Sequence, residues 1–269
     1  MNPIQKISHA EVEKSAIEKY TLSINLRIDG LSFLIQNQEG KNIHMEAFEW
    51  LNVKDWGKSI ANLSKLLKEH ELLSLTYVKP VIYIQSTDCM LVPEKFFLKT
   101  KMDKLYHQYF AINTHKVYSS KLLDFNLLFG IDERIAKIIT SKWKDARWSH
   151  LSYSFIEKSL KQCKQGQEIV LKFENGYFEV LASNNQKLEA HNYFSFSGSE
   201  EFLFNLLSFS KQIGFDVSTM KLSICGKIVP SSPLHLLLEK YIPNVVFLQT
   251  KLDKESVFQE LIQASNANR

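Results

Sequence analysis

Residues 20–26 (YTLSINL) alternate apolar with polar positions and are rich in β-formers, which predicts a strand. The pattern returns in residues 31–36 (LSFLIQ) and 43–50 (IHMEAFEW), after turn chemistry at 27–30 and 38–41. Three strands joined by such short breaks predict an antiparallel meander. The period then lengthens: Trp56, Ile60, Leu63, Leu66 and Leu67 mark one helix face, with Asp55 placed to cap it. Residues 80–85 (PVIYIQ) predict a buried strand. Residues 93–110 predict a helix with Pro93 in its first turn and a Lys-rich exposed face. Residues 117–129 are extended, and 131–143 predict a helix with Ile135, Ile138 and Ile139 on one side.

The order then restarts. Residues 168–173, 177–182 and 187–196 predict a second meander, broken by Glu174-Asn175-Gly176 and by 183–186. Asn175-Gly176 is the strongest hairpin signal in the chain and predicts a type I′ turn. A broad apolar helix follows at 199–214, with Ser199 as cap and Gly214 as stop, then a strand at 221–225, a helix at 233–241 and a strand at 245–248. The order βββ-α-β-α-β thus occurs twice and predicts an α/β protein of two mixed sheets flanked by helices. The predicted halves are 1–146, with a polar lead at 1–18, and 147–269, with a linker at 146–165 and a tail at 253–269 that is a short helix at most and frays at its end.

Composition narrows the function. Apolar residues make up 45% and charged residues 23% of the 269 residues, which excludes disordered and fibrous classes. The net charge of +4 is mild, and only four of the 33 basic residues are Arg, the side chain that forks onto guanine edges and phosphates. Nucleic acid is therefore a disfavoured partner. Three separated cysteines (Cys89, Cys163, Cys225) suit a reducing compartment and neither a disulfide framework nor a zinc site. With no apolar signal region and no membrane-length apolar run, the expectation is a cytoplasmic protein without a membrane span.

Four stretches carry a family likeness: YTLSINLRIDGLSFLIQNQEGKNIHMEAFEW, KLYHQYFAINTHKVYSSKLLDFNLLFGIDERIAKII, IVLKFENGYFEVLASNNQKLEAHNYF and LSICGKIVPSSPLHLLLEKY. In their doubled element order they resemble the sugar kinase, heat-shock chaperone and actin superfamily. They resemble more closely an uncharacterised bacterial family of unknown function with an actin-like ATPase fold. The likeness spans roughly residues 20–249. It implies two ribonuclease-H-like halves, each a mixed sheet with an antiparallel three-stranded meander, enclosing ATP. Active members of that superfamily carry an Asp followed by glycines in the first hairpin, where the carboxylate orders Mg²⁺ waters and the glycines admit phosphate. Asn25 stands at that carboxylate position, followed by Leu26 and Arg27, and Asp29-Gly30 is read as an ordinary hairpin turn rather than a shifted motif. The second hairpin offers Glu174 and Gly176, and the adenosine-contacting segment offers Gly226 followed by Lys227 where a second glycine is wanted.

Other constellations are sparse. No HExxH, GxSxG or P-loop element occurs. His107 and His115 lie among Tyr106, Tyr109 and Tyr118 and read as aromatic packing, Cys225 reads as a core thiol, and Lys95, Lys99, Lys101 and Lys104 read as a solvated helix face. The sequence therefore points to a degenerate, non-catalytic actin-like protein, a pseudo-ATPase acting as a binding or scaffold module. Its partner would be a protein or a second copy, as in the degenerate superfamily members that serve as assembly platforms in pilus and secretion machines. No cofactor, metal or catalytic residue is expected. The alternatives are a nucleotide binder or weak ATPase using ATP and Mg²⁺, and a nucleic-acid-associated accessory protein.

Overall fold

The computed structural model describes residues 1–53, 55–248 and 256–267. In chain order the elements are β1 (Gln5–Ser8), β2 (Thr21–Arg27), β3 (Gly30–Gln36), β4 (Asn42–Glu49), α1 (Trp56–Glu69), β5 (Val81–Ile84) and β6 (Cys89–Pro93). Then come α2 (Met102–Phe110), β7 (His115–Leu122), β8 (Phe125–Asp132), α3 (Glu133–Lys142), β9 (Arg147–His150) and α4 (Leu151–Gln162). The second copy is β10 (Gln167–Glu174), β11 (Tyr177–Asn184), β12 (Lys187–Ser195), α5 (Ser199–Gln212), β13 (Lys221–Gly226), α6 (Pro233–Tyr241) and β14 (Val245–Phe247), and α7 (Gln259–Ala267) closes the chain.

These elements form two compact units, Met1–Phe155 with Asp253–Arg269, and Ile156–Leu252. The sheet of the first unit runs β1-β4-β3-β2-β5-β9 and that of the second β12-β11-β10-β13-β14. Without β1 the two orders are the same: third strand, second, first, fourth, fifth. In each, the first strand is antiparallel to its hairpin partner and parallel to the fourth strand. Both first strands, β2 and β10, lie inside their sheets, where their apolar, β-branched sequences suit burial on both faces. In the second unit Leu171, Phe173, Phe178 and Val180 pack with Phe202 and Leu206 of α5 and Leu238 of α6 into one core.

Several elements differ from expectation. The polar lead contains β1, which pairs antiparallel with β4 and becomes the edge strand of the first sheet. Residues 93–110 are not one helix: Pro93 ends β6, two 3₁₀ turns follow (Glu94–Phe96 and Lys99–Lys101), and only Met102–Phe110 is α-helical. The stretch 117–129 is a hairpin, β7–β8, whose turn at Leu123 (φ 54°) carries neither Gly nor Asn, the usual signal. With β6 it makes a separate three-stranded sheet, β6-β8-β7. The last strand of the first copy is therefore β9, which pairs with β5 and occupies part of the expected linker. Residues 147–150 thus belong to the first sheet.

The tail holds the short helix expected of it, but that helix is docked on the first sheet. Residues 253–255 and 268–269 of the tail, like Gln249, lie outside the described residues. In α7, Leu261 and Ala264, with Phe258 just before it, are buried against Leu34, Met45, Ala47, Val81 and Tyr83 of the first sheet. Tyr83 Oη donates to the Ala264 carbonyl at 2.9 Å, and Ser265 Oγ bridges Ser23 (3.0 Å) and Gln36 (2.6 Å). Two smaller corrections concern caps and turns. Gly198, not Ser199, occupies the N-cap of α5. Of Asn175-Gly176 only Gly176 has positive φ (77°), so that turn is not type I′; Asn185 (50°) and Gln186 (65°) have that geometry instead.

Candidate functional site

The C-terminal ends of parallel strands, where strand order reverses, are where open α/β sheets present ligand-binding groups. In the first unit β2 delivers Asn25 and Arg27 there, and β5 leads into Gln85 and Ser86. Asn25 is buried, and its Nδ2 donates to Gln85 Oε1 at 3.0 Å. Its Oδ1 is buried without a hydrogen-bond partner. Arg27 Nε is held by Asp29 Oδ1 at 3.2 Å. Arg27 pairs directly with Gly30, so Ile28-Asp29 makes the turn and Gly30 begins β3, which corrects the Asp-Gly turn reading. Gly30 is required for another reason: a Cβ there would lie 2.3 Å from the Phe48 carbonyl oxygen.

In the second unit β10 and β13 run parallel and bring Glu174, Gly226 and Lys227 together. Lys227 Nζ lies 3.4 Å from Glu174 Oε2, and the Lys227 amide donates to the Phe173 carbonyl at 2.7 Å. Gly226 has φ 84°, and a Cβ on it would sit 2.3 Å from that same carbonyl oxygen. Gly176 does not join this group; it stands at the hairpin tip with open space around it. In the first unit the position thus carries a neutral amide, Asn25, and in the second a carboxylate, Glu174, that already faces an ammonium.

One nucleophile-and-base geometry was not anticipated from the sequence. His150, buried at the end of β9, has Nε2 3.5 Å from Ser86 Oγ. However, its Nδ1 accepts the Ser152 amide N–H at 3.2 Å. Nδ1 is therefore unprotonated and Nε2 carries the hydrogen, so the imidazole donates toward Ser86 instead of taking its proton. The arrangement caps α4 and is no activated serine.

Two buried carboxylates also escaped sequence reasoning. Glu46 accepts from His44 Nε2 (2.7 Å), His70 Nε2 (2.9 Å) and Lys6 Nζ (3.0 Å). Glu179 faces Lys172 Nζ (2.6 Å), His191 Nε2 (2.8 Å) and Tyr193 Oη (3.1 Å). Burial pushes both carboxyls up, but these donors outweigh it and hold each well below the usual carboxylate range. The available signal was polar residues at period two within apolar strands, as in His44-x-Glu46. Among the described residues, no three His, Cys, Asp or Glu side chains are grouped as a metal-ligand set. His115 sits 3.2 Å from Tyr106 Oη, and burial lowers its pKa; this is packing, as expected. Cys225 is partly buried at the end of β13. Among the described residues no helix is long and apolar enough to cross a membrane.

Comparison with known proteins gives a fold and no activity. The model of a family described as "Protein of unknown function (DUF3822)" matches residues 9–245. No curated protein matches. A Bacteroides thetaiotaomicron protein with an actin-like ATPase fold and unknown function is similar at TM-score 0.81 and 22% identity, over 94% of this chain and 99% of that one. The cytoplasmic domain of EpsL, an inner membrane component of the Vibrio cholerae type II secretion system, matches at TM-score 0.49 and 11% identity, over 93% and 96% of the two chains. A chain of the PilM-PilN type IV pilus biogenesis complex matches at TM-score 0.47 and 10% identity, over 91% and 94%. The first of these shows the actin-like ATPase fold.

Proposed function

The chain belongs to the DUF3822 family of proteins of unknown function, and from that premise we propose that it is a non-catalytic binding or scaffold module built on an actin-like ATPase fold. It acts in the cytoplasm on a protein partner or on a second copy of itself. The observation that carries this reading is the Glu174–Lys227 pair at 3.4 Å. Where the fold's active members leave a carboxylate for hydrated Mg²⁺ and a glycine for the nucleotide, this chain spends the carboxylate on its own ammonium. Gly226 supports the same reading, because its missing Cβ is explained by the Phe173 carbonyl and no ligand is needed to account for it. Asn25 adds a neutral amide at the other carboxylate position.

A second reading, a nucleotide binder without metal, is favoured by the unpartnered Asn25 Oδ1 and the half-exposed Lys227. Thermal unfolding separates the two. A ligand at 100 times its Kd stabilises a fold by about 2.7 kcal/mol, a shift of several degrees. No shift is expected with millimolar Mg-ATP or ATP alone. A reproducible shift that disappears in Lys227→Glu would overturn the scaffold reading. Its positive arm is the oligomeric state and crosslinking in native lysate, where a discrete partner or dimer is expected.

A further inference from the structure

The first copy of the fold carries an insertion that the second lacks. Between β5 and α3 it holds β6, two 3₁₀ turns, α2 and the β7–β8 hairpin, whereas in the second unit only residues 227–232 separate β13 from α6. Within that insertion, residues 94–110 show an unusual surface. Lys95, Lys99, Lys101 and Lys104 are all exposed, and among the described residues none is ion-paired. Phe96 (67% exposed), Leu98 (55%), Leu105 (37%) and Tyr109 (66%) stand among them. Leu105 and Tyr109 are one helical turn apart and share a flank of α2, and Lys101 lies at its N-cap. The opposite flank is anchored: Tyr106 is buried, its hydroxyl donating to the Asp88 carbonyl at 3.2 Å. Only two acidic residues lie in the stretch, and Glu94 is neutralised by Lys121 and accepts from Asn126 Nδ2 at 2.6 Å, leaving Asp103.

We propose that this surface, Lys95–Tyr109, docks the protein onto an anionic lipid surface. Four unneutralised ammonium groups complement a layer of lipid phosphates, and each contributes to attraction near such a surface. The exposed Phe, Leu and Tyr side chains are of the kind that enter the headgroup and acyl boundary. An acidic protein segment is a poorer complement, because carboxylates are best gripped by the bidentate fork of Arg and all four cations here are Lys. RNA is a poorer complement as well: Phe96 and Tyr109 offer rings, but Leu98 and Leu105 give a base no stacking face, and none of the four cations is an Arg whose plane could stack on one. Lysine stems, by contrast, lie along apolar surface while their charges reach a diffuse phosphate layer. The inference goes beyond the scaffold reading and does not depend on whether a nucleotide binds.

Co-sedimentation of the full chain with lipid vesicles tests it. Vesicles of phosphatidylcholine with about 30% phosphatidylglycerol are expected to retain the protein at least about tenfold better than pure phosphatidylcholine, and added salt is expected to weaken retention. Lys99→Glu with Lys101→Glu, and separately Phe96→Ser with Leu98→Ser, are each expected to abolish that retention. Both pairs are exposed, so unchanged thermal unfolding verifies the fold. No retention by anionic vesicles, equal retention by both vesicle types, or retention untouched by both variants overturns the proposal. Poly-uridylate or an acidic peptide binding at these lysines in place of vesicles overturns it as well.

Discussion

Gly226 and Glu46 show how single positions serve the fold here in ways the sequence only half discloses. Gly226 was legible as a special position, a lone glycine between strand and helix. What it meets, the Phe173 carbonyl, became visible only with β10 and β13 side by side. Gly226→Ala combines a left-handed φ of 84° with a backbone clash, and urea unfolding is expected to show a loss of about 2–4 kcal/mol. Glu46 looked like an ordinary strand residue until β1, β4 and the end of α1 surrounded it with Lys6, His44 and His70. Its pKa is held well below an ordinary value near 4.5, so its contribution is fully present above that pH and is lost progressively as pH falls from there toward the lower, folded-state value. Glu46→Gln is therefore expected to cost about 2–4 kcal/mol at neutral pH, with the gap to wild type closing below about pH 4. A gap that stays constant down to acid pH would contradict that assignment.

Elements that carry their own signals were read correctly, and those that borrow stability from elsewhere were not. Helix α1 has a cap and a period in its own sequence, and the Lys58 amide does donate to Asp55 Oδ1 at 3.0 Å. Asp55→Ala should lower stability by about 1 kcal/mol in denaturant titrations. Helix α7 and Phe258 just before it bury three apolar side chains over about two turns, too few to specify a packed helix in isolation. It exists because the face of the first sheet bearing Leu34, Met45 and Tyr83 needs a cover. Phe258→Ala is expected to cost about 3–5 kcal/mol, a value out of reach for a fraying tail. The β7–β8 hairpin escaped notice for a local reason, since Leu123 supplies a positive φ without the residue type that announces one.

At the scale of the molecule, the same five-strand order is built twice from sequences with little in common, and each unit is completed differently. The first takes its edge strand from the N-terminus and its cover from the C-terminus; the second is continuous in sequence. Removing residues 256–269 is expected to raise hydrogen exchange first in β2, β3 and β5, while β10, β11 and β13 keep their protection. Simultaneous loss across all six strands would show that α7 does more than cover the first sheet. Periodicity, turn residues and capping determined most strands, α1 and α6, and through their order the α/β class, because each of these is a local preference written within a few neighbouring residues. Pairing partners, the β6-β8-β7 insertion, the docking of α7 and the neutralisation of Glu174 by Lys227 were decided only in three dimensions. They join residues distant in sequence, and no local pattern records which surface a strand edge, an apolar stripe or a lone charge will find.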